Sequence, residues 1–475
     1  MKKCFHYGLT GAIRPVGIIF LLVLGLMSRS VSAQFAPVLL YSTGVNTNPS
    51  GVVLGDVNGD GRVDIVAANA STSTVGVLFG QANGFAPVVA YALAAGSYPT
   101  GVAVGDVNGD RRLDLVTANQ NGNSVSVLQG QVGGFAPVVS YSTGPGSAPR
   151  FVVLGDVSGD GRLDIVSANL SSFAVGVFLG QVSGFAPMVP YATGANSYPQ
   201  GVGLGDVNSD GQVDIVSANL GTDEVGVLLG LGRGSFRAGI SYALGAASGP
   251  NAVLLGDVNA DGRLDVVTAN DGTSTVGIGI QQTGGGFAPV SNYSTGVSSR
   301  PLAVALGDVN NDGRPDIVTA NYYTNAAGVL LGLAGGGFGL ISTYSAGVGS
   351  QPRGMILGDV NNDGRLDIVL ANTSSSTIGV LLNTTPLATP STKVADSGLI
   401  LLPNPAHHMT MAQLPSSHTI AATLTIMDAL GRVAHTQPLH PATAASLDLT
   451  GLAPGLYQVR VQANGQQWSQ RLVVE

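Results

Sequence analysis

GDVNGDGRVD, residues 55–64, returns with small changes from Gly105, Gly155, Gly205, Gly256, Gly307 and Gly358. The first three steps are 50 residues long and the last three 51, so one unit occurs seven times. A fixed period of this size marks a unit that cannot bury its apolar face alone and stacks on its neighbours. Outward from residues 55–64, Val, Ile, Leu, Phe and Tyr gather in four runs, and Gly, Asn, Ser and Pro separate them. Those runs predict strands over 51–57, 64–69, 75–80 and 85–91.

Four strands in about 50 residues is the period of a β-propeller blade. The expected fold class is all-β: a seven-bladed propeller over 34–383, closed by an N-terminal strand and followed by a small β-sandwich. Residues 35–41 read as an outer strand with no blade before it, and the seventh unit stops after its third strand at 378–383. Pairing the two removes two exposed strand edges, whereas an open solenoid leaves both bare. The 69 glycines, 10% charged residues and mean hydropathy of +0.32 suit short buried strands and tight turns, not long exposed helices.

The turn between the first two strands of each unit concentrates oxygen ligands. In the first unit Asp56, Asn58, Asp60 and Asp64 stand at positions one, three, five and nine, with Gly61 at six and the carbonyl of Arg62 at seven. The set recurs as Asp106, Asn108, Asp110 and Asp114, then as Asp156, Ser158, Asp160 and Asp164. The fourth and fifth sets are Asp206, Asn208, Asp210, Asp214 and Asp257, Asn259, Asp261, Asp265. The sixth and seventh are Asp308, Asn310, Asp312, Asp316 and Asp359, Asn361, Asp363, Asp367. Alternate positions in a tight loop turn their oxygens toward one centre, as in the first part of an EF-hand loop, and hard oxygens select Ca²⁺. Position twelve is Ala67 and no helix flanks the loop, which excludes an EF-hand itself. Asp64 is expected to close the shell while the Arg62 side chain faces out. Asx-turns alone explain one or two of the four oxygens. They do not explain why 21 of the 28 acidic residues sit three to a loop. Up to seven Ca²⁺ are therefore expected, with the second loop (Arg111 for Gly) and the third (Ser158 for Asn) the weakest.

Residues 1–33 read as a signal peptide. Lys2, Lys3 and Arg14 precede an apolar run over 16–27, and Val31-Ser32-Ala33 offers small residues before a cut at Gln34. The run is short for a transmembrane span, so an uncleaved anchor is the lesser reading. Cys4, the single cysteine, leaves with it, so the mature chain has no disulfide. Sixteen basic residues then face 28 acidic ones, a net charge of −12, which disfavours nucleic acid and anionic membranes as partners.

The chain is expected not to be an enzyme. His6, His407, His408, His418, His435 and His440 all lie outside 34–383, and that region has no Lys, Cys or Trp. A Ser-His-Asp triad or a zinc site is therefore unavailable there. Asp223, Glu224 and Asp271 are its only carboxylates outside the loops, and Asp223 and Glu224 are adjacent, so they do not make a facing glycosidase pair. A binding or adhesion scaffold remains, with a carbohydrate-binding lectin or a polysaccharide-processing accessory protein as the alternative. The end of the blades away from the Asp-rich loops offers Tyr98, Arg150, Phe173, Tyr198, Arg300, Tyr322, Tyr323 and Arg353. Tyr98, Tyr198, Tyr322 and Tyr323 are the candidate ligand-binding residues, for an extracellular protein or glycan.

The pairing of DxNxDGxxD with GFAPV resembles the FG-GAP/VCBS-type propeller repeats of integrin α-subunit heads and many bacterial surface proteins. The resemblance covers 34–383; the outer strands at 235–239 (SFRAG) and 337–341 (GFGLI) depart from it. After a Pro/Thr/Ser linker at 384–397, residues 398–475 read as a small β-sandwich with a strand near 419–427 and a hairpin at Asn464-Gly465. Its PNP (403–405), GRV (431–433), LDLTGLAPGLY (447–457) and RLVVE (471–475) elements resemble a type A sorting domain of the type IX secretion system. That resemblance implies the secretion machinery as a partner, a secreted or cell-surface location and removal of the domain on export. Its five histidines are expected to be surface or packing residues.

Overall fold

The computed structural model describes residues 33–386, 399–413, 422–427, 433–439, 444–463 and 466–474. Residues 1–32 of the signal-peptide reading, most of the linker, His418, His440 and Asn464-Gly465 lie outside them. Two compact units divide the chain, Met1–Thr385 and Pro386–Glu475.

Each of the first six repeats supplies an antiparallel sheet of four strands, with the outer strand of the fourth repeat split in two, and the seventh supplies three. In the second repeat the four are Pro99–Gly105, Asp114–Asn119, Ser124–Leu128 and Val139–Ser142, hydrogen-bonded in that order from inner to outer. Every residue of Asp114–Asn119 is buried, because sheets cover it on both faces; strands in that position read as continuous apolar runs. Val66, Val75 and Val77 of the first repeat pack on Val102, Leu115 and Leu128 of the second, and comparable clusters join each later pair. Val369, Ile378 and Val380 of the last repeat pack in turn on Val52, Ile65 and Leu78 of the first. The N-terminal strand Leu39–Ser42 pairs with Thr377–Leu381, placing Leu39 opposite Val380 and Ser42 opposite Thr377. The result is an all-β propeller; its helical content among the described residues is one 3-10 turn, Leu170–Ser172.

Strand bounds differ from the sequence reading in an instructive way. The inner strand of the first repeat runs Pro49–Gly55, not 51–57, and its third strand is Thr74–Leu78. The outer strand is Val89–Ala92, not 85–91. Gly84-Phe85 instead forms a two-residue ladder with Gly80-Gln81, and Pro87 has no N–H to continue it. The phenylalanine is an anchor between repeats. Phe135 stands edge-on to Tyr91 at 4.9 Å, and equivalent Tyr–Phe pairs follow from repeat to repeat, through Tyr293–Phe338 at 5.6 Å and on to Phe35–Tyr344 at 4.9 Å. Such pairs add about 0.5–1.5 kcal/mol each beyond the area they bury. The SFRAG departure splits an outer strand into Phe236–Ala238 and Tyr242–Ala243. Phe236 still meets Tyr191 at 5.2 Å.

The second unit has two sheets. Ile400–Leu402, Met409–Gln413 and Ala444–Asp448 form one; Val433–Leu439, Ala422–Met427, Gly455–Ala463 and Gln466–Val474 form the other. Leu401, Ala412 and Leu447 of the first share a core with Leu424, Ile426, Val459, Val461 and Leu472 of the second, which makes it a sandwich.

Candidate functional site

Antiparallel strands send the Asp-rich turns to one end of the repeats and the turns after the second and fourth strands to the other. At the first end the loops are hydrogen-bonded shut. The first-position Asp56 carboxylate accepts the amides of Gly59 at 2.7 Å, Asp60 at 3.0 Å and Gly61 at 2.7 Å. The ninth-position Asp64 is fully buried and accepts Val57 N–H at 2.9 Å and Gly80 N–H at 2.8 Å, tying the first turn to the end of the third strand. All seven ninth-position aspartates repeat this bridge. Burial pushes their carboxyls upward, to about 6 for Asp316 and Asp367. Two residues per loop take positive φ: Gly61 at the sixth position (83°) and Gly59 at the fourth (77°). Arg111 at 69° and Ala260 at 61° occupy those positions as non-glycine residues and are strained there.

The seventh-position arginines pair back onto the fifth-position aspartates, with Arg62 staying about half exposed (52%) as it does so. Arg162 pairs with Asp160 at 2.9 Å and Arg62 with Asp60 at 3.5 Å, and Arg263, Arg314 and Arg365 close on Asp261, Asp312 and Asp363. With the carboxylate otherwise uncompensated, the nearest flexible cation folds back onto it. The third-position Ser158 hydroxyl donates to Asp156 at 3.2 Å in place of offering a lone pair inward. The all-oxygen donor set fits a hard cation in kind. Its oxygens are engaged by loop amides and arginines, and among the described residues no three His, Cys, Asp or Glu side chains converge on one centre.

The opposite end is built on a backbone irregularity. Pairing between the first two strands skips one residue in each repeat, from Pro49 to Gly51 in the first and from Pro352 to Gly354 in the last. The skipped residues are Ser50, Thr100, Arg150, Gln200, Asn251, Leu302 and Arg353. A bulge releases its residue from the ladder and re-aims the side chain. All seven line one cavity of about 390 Å³ between the inner strands. The residue before each of these prolines holds a left-handed φ: Asn48 50°, Tyr98 54°, Ala148 50°, Tyr198 48°, Gly249 55°, Arg300 52° and Gln351 50°. Proline disfavours the helical region for its predecessor, so the conformation is strained by about 1–3 kcal/mol where the residue is not glycine. Hydrogen bonds from the neighbouring turn hold it: Gln120 N–H donates to the Tyr98 carbonyl at 3.0 Å and Tyr322 N–H to that of Arg300 at 3.1 Å.

Arg300 is held by the Asp271 carboxylate, with Nη2 on Oδ2 at 2.5 Å. It also donates to the Tyr323 hydroxyl at 2.6 Å. It shares a second cavity, of about 510 Å³, with Tyr322, Tyr323, Gln351 and Arg353. Arg150 and Arg353 take part in no ion pair among the described residues. Arg150 has one long hydrogen bond, 3.4 Å to Gln120 Oε1. Burial, with the Arg353 charge adding to it, holds the Arg150 guanidinium down to about 9, and burial lowers Arg353 as well.

Of the candidate tyrosines, Tyr322 and Tyr323 line the second cavity, and the Tyr98 hydroxyl lies in the electrostatic reach of Arg150 and Arg353. Tyr198 lines neither cavity; it stands edge-on to Phe173 at 4.7 Å. Ser50, Thr100, Gln200, Asn251 and Leu302 were not anticipated from sequence. Their signal was a proline at 49, 99, 149, 199, 250, 301 and 352, each followed by the bulged residue.

The FG-GAP-like repeat signature matches residues 56–117, 106–167, 206–268, 257–319 and 308–370, more than half of the chain. The chain belongs to the FG-GAP-like repeat family. A secretion system C-terminal sorting domain matches residues 401–475 of this FG-GAP-like protein and supports secretion or a cell-surface location through the type IX machinery. Similar solved structures include a streptogramin B lyase, 17% identical with a TM-score of 0.55, covering 75% of this chain and all (100%) of that one. Virginiamycin B lyase from Staphylococcus aureus is 16% identical with a TM-score of 0.53, covering 74% and 99%. Hydrazine synthase from Kuenenia stuttgartiensis is 15% identical with a TM-score of 0.51, covering 72% and 97%. At these identities the likeness of the FG-GAP-like chain extends to the propeller fold alone. No curated protein matches its sequence. No helix among its described residues is long and apolar enough to cross a membrane.

Proposed function

We propose that this FG-GAP-like protein is an exported, closed seven-bladed propeller acting as a non-enzymatic binding scaffold, with Ca²⁺ steadying its Asp-rich loops. The observation that carries the binding role is the ring of bulged residues. Seven equivalent positions face one cavity and hold six different residue types. The ladder from Leu39–Ser42 to Thr377–Leu381 supports closure of the ring. Asp271 is held by Arg300, and Asp223 accepts the amides of Ala247 at 2.8 Å and Gly249 at 2.8 Å, which supports a structural use for both. Positions one, three, five and nine of each loop would hold Ca²⁺, and in the six loops with a seventh-position arginine that arginine would have to leave its aspartate. The test is a glycan and protein array probed with the purified chain, beside hydrolase and lyase assays on the same panel. A specific partner with blank turnover is expected; turnover that survives repurification would remove the scaffold reading.

A further inference from the structure

We propose that the cavity ringed by the bulged residues binds the anionic group of an acidic saccharide, a uronate carboxylate or a sulfate ester, through Arg150 and Arg353. The inference rests on the scaffold reading and names its ligand class. The two arginines come from the third and seventh repeats and line one cavity. The fold does not require them there, since Ser50, Thr100, Gln200, Asn251 and Leu302 fill the equivalent positions. Desolvating two like charges without a partner is costly, and an anion supplied from outside offsets that cost. The acid beside the cavities, Asp271, is already held by Arg300. Twenty-one of the chain's 28 acidic residues sit in the loops at the other end, so this mouth is a local cationic centre on an acidic protein.

The surroundings favour a saccharide over an acidic peptide. Gln200, Asn251 and Gln351 present amides suited to ring hydroxyls, and beside them Tyr323 is half exposed (53%) with the Arg300 guanidinium over its ring at 4.5 Å. Cavities of about 390 and 510 Å³ share Asn251, Leu302 and Arg353 and suit a small ligand of one to three rings. A peptide could not add as a strand along the inner edges. A Cβ on Gly51 would lie 2.9 Å from the Thr100 carbonyl, and one on Gly354 2.5 Å from that of Ser50, so neighbouring inner strands already abut.

Calorimetric titration of the full chain with trigalacturonate, its methyl ester, a heparin-derived disaccharide and triglutamate tests this. At least one acidic saccharide should bind, more weakly as salt rises. If it is trigalacturonate, the methyl ester should bind at least tenfold more weakly. If it is the sulfated disaccharide alone, the anion is a sulfate ester. Arg150→Gln with Arg353→Gln should cost at least tenfold in affinity at an unchanged melting temperature. Arg353→Leu alone, which copies Leu302, gives a second reading should the double variant not fold. Arg237→Gln, on an exposed outer strand, should change nothing. The proposal falls if no acidic saccharide binds, if binding survives loss of both arginines, or if triglutamate binds equally well. A neutral glycan or protein bound at this mouth with no effect of the two arginines would also overturn it and leave the scaffold reading intact.

Discussion

The two ends of each repeat share one backbone and use it in opposite ways. At the loop end the first, fifth and ninth positions are aspartate in all seven repeats, and at the cavity end the equivalent positions run Ser, Thr, Arg, Gln, Asn, Leu, Arg. The difference follows from what the side chains bond. Asp64 and its equivalents complete backbone hydrogen bonds that nothing else reaches, so their identity is dictated by the turn. The bulged residues are released from the ladder; Thr100 donates to the Arg150 carbonyl at 2.8 Å, but no backbone bond common to all seven depends on them, so their identity can vary. Repetition marks the end whose turns need the residue, and variation the end that we propose binds a ligand.

Removing or supplying metal is the largest way to test that contrast. If Ca²⁺ occupies the loops, each site adds about 2.7 kcal/mol at about 100-fold excess over its dissociation constant. Chelation should lower the melting temperature by many degrees, millimolar Ca²⁺ should restore it and Mg²⁺ should restore it poorly, because Mg²⁺ demands a tighter octahedral shell. Superimposable calorimetric curves with and without chelator would end the calcium reading.

A single loop carboxylate comes next. Asp164 accepts Val157 N–H at 2.9 Å, Ser158 N–H at 3.0 Å and Gly180 N–H at 2.7 Å in a buried site. Asp164→Ala should cost about 3 kcal/mol in chemical denaturation, by stranding buried donors. Asn251→Ala at the cavity end should stay within about 0.5 kcal/mol. Equal losses would erase the distinction between the two ends.

Smaller effects sharpen it. Arg111→Gly should stabilise by about 1 kcal/mol, because φ is +69° there and nothing else holds an arginine at the sixth position; Gly61→Arg should cost a similar amount. Thermal melts of the pair would decide. The smallest effect is a pH dependence in chelator. Burial raises Asp316 and Asp367 to about 6 from 3.8, so their charged forms are penalised in the folded state. That penalty is full above pH 6 and is relieved as pH falls through 6 toward 4. Metal-free stability should therefore rise between pH 7 and pH 5, and Ca²⁺ should reverse the slope by favouring the carboxylates. A flat metal-free profile would contradict the burial of these two groups.

The repeat count, the second strands and the Asp-rich turns were legible because they are local: a period, an apolar run and a spacing of oxygens within nine residues. Asp64–Asn69 emerged with the bounds its sequence predicts. The FAPV segment misled because its aromatic content mimics a strand. Phe85 is spent on Tyr41, from the N-terminal strand that completes the last sheet, a contact no linear pattern reports. The pairing of the seventh-position arginines was missed for the same reason. Their partners lie two residues back, and only the folded turn brings guanidinium and carboxylate together.

By itself, then, the sequence determined a seven-times-repeated all-β unit, a chain with a C-terminal sorting domain, and where its carboxylates cluster, because periodicity and composition are properties of the string. Tertiary structure alone decided that residues some 200 positions apart, Arg150 and Arg353, face one cavity with no acid between them. The reason is geometric: a bulge re-aims a side chain only once its strand is paired, and inner strands surround a common cavity only once their sheets have packed.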